Sequence, residues 1–348
     1  MGQATDILTL AHKLQASDIH ITVHSPVMFR VHGQLKPINQ EPLNPEDTAE
    51  LAKQLMTVGQ YEEFMGRGDF DLSYVIPQLS RFRINAYKQK GSVGLSIRLI
   101  PIEVPSLEEL GLPSIAGELA NKPQGLLLVT GPTGSGKSTT LAAMLDYINR
   151  TRCEHIVTLE DPIEFEHVHK KGIVNQREIG VDTLSFAAGL RAALRQDPDV
   201  VLVGEMRDLE TISTAITAAE TGHLVFATLH TADAPQTINR IIDVFPPEAQ
   251  QQIRMQLSAV LLGVMAQRLL PKADGSGRIA AMEVLVNTPA VANLIRSEKI
   301  HQIRSVMQTG RSQGMQTMEN ALRELLQQGR ISVAEANQAM FGFANLQE

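Results

Sequence analysis

The feature that most constrains this chain is a glycine-rich run that matches the pattern G-x-x-x-x-G-K-[ST] in full. Its residues are Gly131, Pro132, Thr133, Gly134, Ser135, Gly136, Lys137, Ser138 and Thr139. The run follows an apolar segment that predicts a strand and precedes one that predicts a helix, which is the context a phosphate-binding loop requires. Backbone N–H groups can turn inward around a phosphate there, and the helix N-terminus adds its positive dipole end. We expect a nucleoside triphosphate, with Lys137 on its β- and γ-phosphates and Ser138 on Mg²⁺.

Carboxylates follow two further apolar segments that predict strands. Glu205 ends the run 199–205, and Glu160, Asp161 and Glu164 follow the run 155–159. Ligands of open α/β sheets lie at the carboxyl ends of the strands, so Glu205 is placed to orient and deprotonate the attacking water or to hold the metal through water. From the residues alone, a surface carboxylate at Glu205 and an ordinary turn at Asp161-Pro162 remain as alternative interpretations.

Two histidines flank a third apolar segment, 224–229. The odd separation of His223 and His230 predicts that they lie at opposite ends and on opposite faces of a strand. This argues against a shared metal, and each histidine taken alone is consistent with a structural role.

Local patterns predict two domains and a connection. Residues 1–100 read as a small α+β module, with strands near 18–31, 69–75, 80–88 and 92–99 and a helix that begins at Asn44-Pro45. Four prolines and two short helical segments over 101–124 predict a linker. From 125 to 348, strands alternate with helices, which predicts a parallel α/β sheet with helices on both faces, and the chain after about 289 reads as helical.

Composition excludes several kinds of function. The net charge is −7, aromatic residues make up 4%, and tryptophan is absent, so nucleic acid is not an expected partner. Cys153 is the single cysteine, which excludes an internal disulfide framework and a four-cysteine zinc site. The first twenty residues lack a signal-peptide pattern and the best apolar run, 259–266, is too short to span a bilayer. We expect a cytoplasmic protein without direct membrane insertion.

Four segments, taken in order, resemble the boxes of a known family. They are GPTGSGKST (131–139), TLEDPIEFEH (158–167), DPDVVLVGEMRD (197–208) and TGHLVFATLHT (221–231). In this order they resemble the Walker A, Asp, Walker B and His boxes of the secretion-type ATPases of bacterial type II secretion and type IV pili, which are hexameric RecA-like motors. SRFRINAY (80–87) and the segment 288–322 resemble the pilus retraction (twitching-motility), PilT-like branch. A single cysteine and a chain that begins directly with the first module also favour that branch.

The resemblance implies a fold and a set of roles. The fold would be a PAS-like N-terminal domain followed by a RecA-like P-loop ATPase domain with C-terminal helices. Glu205 would be the catalytic carboxylate, Glu164 a second acidic participant, and His230 would lie near the γ-phosphate. In a ring, the first module of one subunit would pack on the ATPase module of the next, which makes Arg81 and Arg83 candidates for neutralising phosphate charge in trans.

The same resemblance implies cofactors, partners and a place in the cell. These are ATP with Mg²⁺, a homo-hexamer, an inner-membrane pilus platform protein, a possible paralogous accessory ATPase, and docking at the inner face of the cytoplasmic membrane. Near the C-terminus, Leu294, Ile295, Ile300 and Ile303 predict an apolar helix face with Arg296 and Lys299 outside it, in a segment similar to a short motif of the retraction branch.

Alternative functions remain open at this point. They are a motor for pilus extension or type II secretion, an accessory nucleotide-gated retraction subunit, and a DNA translocase. Intact Lys137, Ser138 and Glu205 argue against the accessory subunit, and the charge argues against the translocase.

Overall fold

The structure is a computed structural model that describes residues 3–31, 34–77, 79–100 and 103–344, with side chains up to residue 340. Its backbone divides into two compact units, Met1–Glu103 and Val104–Glu348. The parts of the predicted domains and linker that fall on residues 1–2, 32–33, 78, 101–102 and 345–348 lie outside the described residues. Within the described ranges, no helix combines the length and apolarity that crossing a membrane requires.

The first unit packs helices on an antiparallel sheet. Its elements in chain order are α1 Gln3–Lys13, β1 Asp18–Ile21, β2 Met28–Val31, β3 Gln34–Pro37, α2 Pro45–Leu55, α3 Val58–Arg67, β4 Asp69–Ile76, β5 Ser80–Gln89 and β6 Ser92–Ile100. The described strands form a sheet in the order β3-β2-β1-β6-β5-β4, with antiparallel pairing throughout. The predicted α+β pattern is confirmed in its strands and in α2, whereas α1, α3 and β3 were not predicted.

Local chemistry explains the elements that were predicted. The Asn44 side chain accepts hydrogen bonds from the first-turn amides of α2 while Asp47 accepts one from the Asn44 amide, and Pro45 opens the helix. Alternation along β5 buries Ser80, Phe82, Ile84 and Ala86, while Arg81, Arg83, Asn85 and Tyr87 between and beside them are half-buried or exposed. One face of the sheet thus forms the core together with the helices.

The second unit is built around a mixed sheet. Its elements in chain order are α4 Ile115–Ala120, β7 Gly125–Thr130, α5 Lys137–Thr151, β8 His155–Glu160, β9 Ile173–Glu178, α6 Phe186–Ala193, β10 Val200–Val203, α7 Leu209–Glu220, β11 Leu224–Leu229, α8 Ala234–Asp243, α9 Pro247–Val260, β12 Leu261–Pro271, β13 Arg278–Val286, α10 Pro289–Arg296, α11 Ile303–Thr309, α12 Met318–Gln327 and α13 Val333–Ala344. Short 3₁₀ turns lie at Ile300–Gln302 and Arg311–Gln313. The predicted helical C-terminal part is confirmed over the described residues.

The strand order of this sheet is β13-β12-β7-β11-β10-β8-β9. Every residue of β7, β10 and β11 is buried, as expected for parallel strands covered on both faces. The prediction of a parallel sheet needs one correction: β13 pairs antiparallel with β12, because a hairpin joins these two strands at the sheet edge. The predicted apolar run 259–266 is the end of α9 and the first half of β12; all of its residues are buried except Ala259, which is exposed, and Leu262, which is half-buried.

The predicted linker also needs a correction. The two units divide between Glu103 and Val104, so most of the stretch 101–124 belongs to the second unit. Leu107, Ile115 and Leu119 are buried in the same apolar cluster as residues of β7 and α5. Burial of these side chains against the sheet makes this stretch part of the core of the second unit.

Candidate active site

The loop between β7 and α5 has the conformation that its glycines predict. Gly131 and Gly136 take φ values of 140° and 89°, a region that side-chain-bearing residues rarely occupy. A Cβ on Gly131 would lie 2.3 Å from the Gln267 carbonyl oxygen, and one on Gly136 would lie 2.8 Å from Gln267 Nε2. A side chain at Gly131 would therefore clash with the backbone of β12, whereas one at Gly136 would be strained by its φ value and would displace the Gln267 amide.

Lys137 begins α5 and lies over the loop. Its Nζ donates to the carbonyl oxygens of Gly131 at 2.9 Å and Pro132 at 3.2 Å. Burial lowers the pKa of Lys137, and the negative charges of Glu205 and Glu164 act in the opposite direction. Both predicted carboxylates are thus close enough to the loop lysine to act on its charge.

Glu205 lies just beyond the end of β10, where the sequence predicts it. Its Oε1 is 2.6 Å from Arg207 Nε and 3.2 Å from His230 Nε2. Partial burial acts to raise the pKa of Glu205, but hydrogen bonds and attraction from Arg207 and His230 outweigh it, so the net effect is a lowered pKa. The carboxylate is therefore ionised at neutral pH and can accept a proton or a hydrogen bond.

The two histidines that flank β11 do lie at opposite ends of the strand. His230 follows its carboxyl end and contacts Glu205, whereas the His223 Nδ1 atom is 2.9 Å from the Ala218 carbonyl oxygen at the end of α7. Of the two histidines, only His230 lies at the end of the sheet that carries Glu205. No group of three or more His, Cys, Asp or Glu side chains suited to holding a metal ion occurs within the described ranges.

The acidic segment at the end of β8 is organised by Glu160, the last residue of that strand. Glu160 accepts hydrogen bonds from Thr158 Oγ1 at 2.6 Å and from Gln176 Nε2 at 3.0 Å, and burial raises its pKa. The Gln176 amide also donates to the Phe165 carbonyl oxygen at 2.8 Å. These bonds hold the loop that carries Glu164, which is exposed and acts on Lys137.

Gln267 is the residue of this site that sequence reasoning missed. Its buried side chain accepts a hydrogen bond from Thr140 Oγ1 at 2.8 Å and donates one to the Ser135 carbonyl oxygen at 2.7 Å. It thus ties the phosphate loop and the second turn of α5 to β12. The only signal in the sequence is a single amide within the apolar run 261–270, and nothing local shows which residues it contacts.

A cleft of about 390 Å³ lies beside the phosphate loop. It is lined by the loop from Pro132 to Ser135, by the end of β12 from Arg268 to Pro271, and by one face of α13. Its size falls within the range of small-ligand sites. The C-terminal helical part therefore forms one wall of the space next to the loop.

Arg81 and Arg83 are on β5 of the first unit, far in sequence from the residues of this site. Arg81 donates through Nε and Nη2 to Ser73 Oγ at 3.2 and 3.0 Å, and Arg83 is exposed. Their predicted action in trans stays a prediction.

The arrangement brings together most of the predicted site. Because β7, β11, β10 and β8 are adjacent and parallel, their carboxyl ends place the phosphate loop, His230, Glu205 and the Glu164 loop at one edge of the sheet. The glycine cradle, a lysine and the Ser138 hydroxyl suit a polyphosphate with a divalent metal, and an ionised carboxylate next to an imidazole can orient water.

Comparison with known proteins agrees with this geometry. The family model described as "Type II/IV secretion system protein" matches residues 3–276. A relative from Pseudomonas aeruginosa, the type IV pilus retraction ATPase PilT, is 49% identical over 96% of this chain and 97% of its own. A twitching motility protein from Neisseria gonorrhoeae is 52% identical over 88% of this chain and 82% of its own.

The same relationship holds in three dimensions. A crystal structure of the pilus retraction motor PilT with bound ADP superposes with a TM-score of 0.90, at 50% identity and 97% coverage of both chains. The family inferred from the four boxes is confirmed, and so is the retraction branch inferred from residues 80–87 and 288–322. The chain belongs to the family of type II/IV secretion system proteins.

Proposed function

We propose that this chain is the Mg²⁺-dependent ATPase that powers retraction of type IV pili, and hence twitching motility. The single observation that carries the chemistry is the contact between His230 and Glu205 at the sheet edge that holds Lys137 and the phosphate loop. The near full-length similarity to PilT carries the biological role. The fold relations proposed with it are a RecA-like ATPase domain and a PAS-like first domain.

The residues of the loop bind the triphosphate in this proposal. Backbone N–H groups of residues 131–139 surround the phosphates, and Lys137 exchanges its bonds to loop carbonyls for bonds to the β- and γ-phosphate oxygens. The Ser138 hydroxyl would be the direct protein ligand of Mg²⁺, and Glu205 would hold the ion through water. The ion, when bound, neutralises charge on the transferred phosphoryl group.

Glu205 and its neighbours act on the attacking water. The ionised carboxylate accepts a hydrogen bond from that water and takes its proton as the water oxygen bonds to the γ-phosphorus, while the bond from that phosphorus to the bridging oxygen breaks and ADP leaves. His230 orients the carboxylate and adds positive charge or a donor on the γ-phosphate side. Glu164 is a second acidic participant close to Lys137.

Assembly completes the site in the proposed motor. A homo-hexamer places Arg81 and Arg83 of one subunit near the nucleotide of the next, where they neutralise developing charge. The hexamer works at the inner face of the cytoplasmic membrane, docked on a platform protein of the pilus machine, with a paralogous ATPase as a possible accessory. Light scattering with an ATP analogue and Mg²⁺ should give six subunits at micromolar protein, and a monomer under those conditions would contradict this part.

Two experiments test the activity and the role separately. Purified protein should hydrolyse ATP only with Mg²⁺, and an absence of turnover would favour an accessory subunit. Deletion of the gene should leave cells with excess, static pili, which wild-type protein reverses and Glu205→Gln does not. Cells that lose their pili would instead indicate an extension motor, and cells that lose secretion would indicate a secretion motor.

A further inference from the structure

Glu283 is a buried carboxylate of the second unit that the proposed chemistry does not use. It lies on β13 opposite Ala266 of β12 and is only 7% exposed. A carboxylate that is taken out of water must find hydrogen-bond donors, since an unpaired buried charge is costly. The hydrogen-bond donors to Glu283 therefore show which segments this side chain connects.

The two donors are the first backbone amides of two different helices. Oε1 accepts from the Ala234 amide at 2.9 Å, and Oε2 accepts from the Met318 amide at 3.4 Å. Ala234 is the first residue of α8 and Met318 the first of α12. Amides at these positions have no partner within their helices, and both helix dipoles favour a negative charge there. One side chain thus joins the starts of two helices that are distant in sequence.

The first of these helices follows directly on the candidate catalytic histidine. Only residues 231–233 separate His230 from α8, and Asp233 caps the helix by accepting from the Gln236 amide at 2.8 Å. Within the same segment, the hydroxyls of Thr231 and Thr237 are 2.7 Å apart. Fixing the first turn of α8 therefore fixes the short loop on which the His230 backbone depends.

The second helix belongs to the C-terminal helical part. Beside Glu283, Val284 exchanges two backbone hydrogen bonds with Gln316, at 2.8 and 2.9 Å. Met318 and Leu322 of α12 are buried in an apolar cluster with Ile279 and Ala281 of β13. The start of α12 is thus bound to β13 at the residue that also holds α8.

We propose that Glu283 is a positioning residue that ties the His230 loop to the start of α12, so that the active site and the C-terminal helices shift together. This inference deepens the proposed function and rests on it for the role of His230. A displacement of His230 that follows phosphate release would be passed through Ala234 and Glu283 to Met318, because packed elements move as units.

The test uses one variant of Glu283 itself and a matched pair of variants that each remove a helix N-cap. Glu283→Gln keeps the shape of the side chain but presents an amide N–H₂ to one of the two donors, so one bond is lost. Thr317→Ala removes the cap of α12, where Thr317 Oγ1 accepts from the Asn320 amide at 3.3 Å. Thr288→Ala removes the equivalent cap of α10, where Thr288 Oγ1 accepts from the Val291 amide at 3.4 Å, and serves as the control.

Two readouts are needed on the full-length protein. For Glu283→Gln and Thr317→Ala, we expect kcat for ATP to fall about five- to tenfold with KM changed less than about twofold. Amide hydrogen exchange should quicken at 231–236 in both variants, although Thr317 is far from this segment in sequence. Thr288→Ala should change neither kcat nor exchange at 231–236.

The outcomes separate this proposal from the proposed function. Unchanged exchange at 231–236 in Thr317→Ala would overturn the coupling, whatever Glu283→Gln does and even if that variant fails to fold. Equal effects of Thr288→Ala and Thr317→Ala would overturn it as well, because loss of any helix cap would then suffice. Wild-type protein without ATPase activity would contradict the proposed function, while the exchange result would still decide whether the two helices are coupled.

Discussion

The Nε2 atom of His230 lies 3.2 Å from Oε1 of Glu205, and the same oxygen is 2.6 Å from Arg207 Nε. The two residues follow the ends of β11 and β10, which are paired in parallel register. A carboxylate held between an imidazole and a guanidinium is fixed in position and ionised before substrate binds. Such prior orientation is how a general base gains efficiency in the transition state.

We expect Lys137 and Glu205 to affect different steps. Lys137→Ala should weaken ATP binding by at least about tenfold, because its ammonium contacts phosphates in the ground state. Glu205→Gln should bind ATP normally but lower kcat by about 100-fold or more, because its task arises in the transition state. Binding by fluorescence and single-turnover rates measure the two effects, with exposed Lys122→Ala as the control. Equal loss of binding in both variants would contradict these roles.

His230 should influence the pH dependence of the reaction through Glu205. Attraction from His230 helps to hold the pKa of Glu205 below its ordinary value, so His230→Ala should raise that pKa. The acid limb of the kcat profile should then move to higher pH, since Glu205 would be protonated sooner as the pH falls. His223→Ala, at the other end of β11, is the control and should leave the acid limb unchanged. A profile that does not move in His230→Ala would show that the contact has no part in turnover.

Gln267 should matter for nucleotide binding through the loop it holds. Gln267→Leu leaves the Ser135 carbonyl and the Thr140 hydroxyl buried without their partner, which costs about 1–3 kcal/mol of stability. We expect ADP affinity to fall about tenfold, because the loop loses its attachment to β12. Asn287→Leu is the matched control, because it too removes a side-chain amide with two hydrogen bonds. Asn287 donates to the backbone carbonyls of Ser258 and Leu261, which are not part of the phosphate loop. Equal ADP affinities in the two variants would contradict a specific role for Gln267.

Glu283 should make stability depend on pH in a defined direction. Burial and the negative charge of Asp233 raise the pKa of Glu283 to about 7. The two amide donors and the positive charge of Arg304 act in the opposite direction, and Arg268 also interacts with Glu283 through its charge. The folded protein thus binds more protons than the unfolded chain between the ordinary pKa of 4.5 and about 7. The stability that protonation of Glu283 adds to the folded protein is complete below pH 4.5 and is lost as the pH rises through 7.

Chemical denaturation at a series of pH values measures this contribution. Between about pH 5 and pH 8, wild-type protein should lose up to a few kcal/mol of unfolding free energy relative to Glu283→Gln, which cannot titrate. Parallel curves for the two proteins over this range would contradict the raised pKa.

The charged residues at the end of α10 and just after it should serve force transmission and contribute little to folding. Ile295, Ile300 and Ile303 are buried and Leu294 is partly buried, as the sequence predicts, while Arg296 and Lys299 are exposed. The prediction of a single helix face needs a correction, because α10 ends at Arg296, Ile300 begins a 3₁₀ turn and Ile303 begins α11. Exposed charges contribute about 0–1 kcal/mol to stability, so the double reversal Arg296→Glu with Lys299→Glu should leave folding and basal ATPase activity nearly intact.

Retraction in cells should nevertheless fail in this variant, because the reversed charges would no longer suit the neighbouring protein. Lys13→Glu with Lys36→Glu changes the net charge equally on exposed residues of the first unit and serves as the control. Normal twitching speed in the α10 variant would show that the helix is only part of the scaffold.

Much of the nucleotide site could be predicted from the sequence because its chemistry is local. A glycine loop, a lysine and a hydroxyl within nine residues need only one strand and one helix to take effect. Glu205 and His230 could be assigned to strand ends from apolar runs of four to six residues. The placement of these ends at one edge followed from the alternation of strands and helices, since parallel strands carry their ligands at the carboxyl side.

The contacts between distant segments were decided by the tertiary structure alone. Gln267 lies 132 residues from Ser135 in the chain, and Glu283 lies 49 residues from Ala234 and 35 from Met318. The hairpin of β12 and β13 brings both side chains against helix and loop starts, and neither has a local pattern that reveals its partners. A buried polar side chain is explained by the donors and acceptors that surround it, and those are set by strand order and packing. The sequence by itself determined which chemistry this edge can perform, and the fold decided which residues hold it in place.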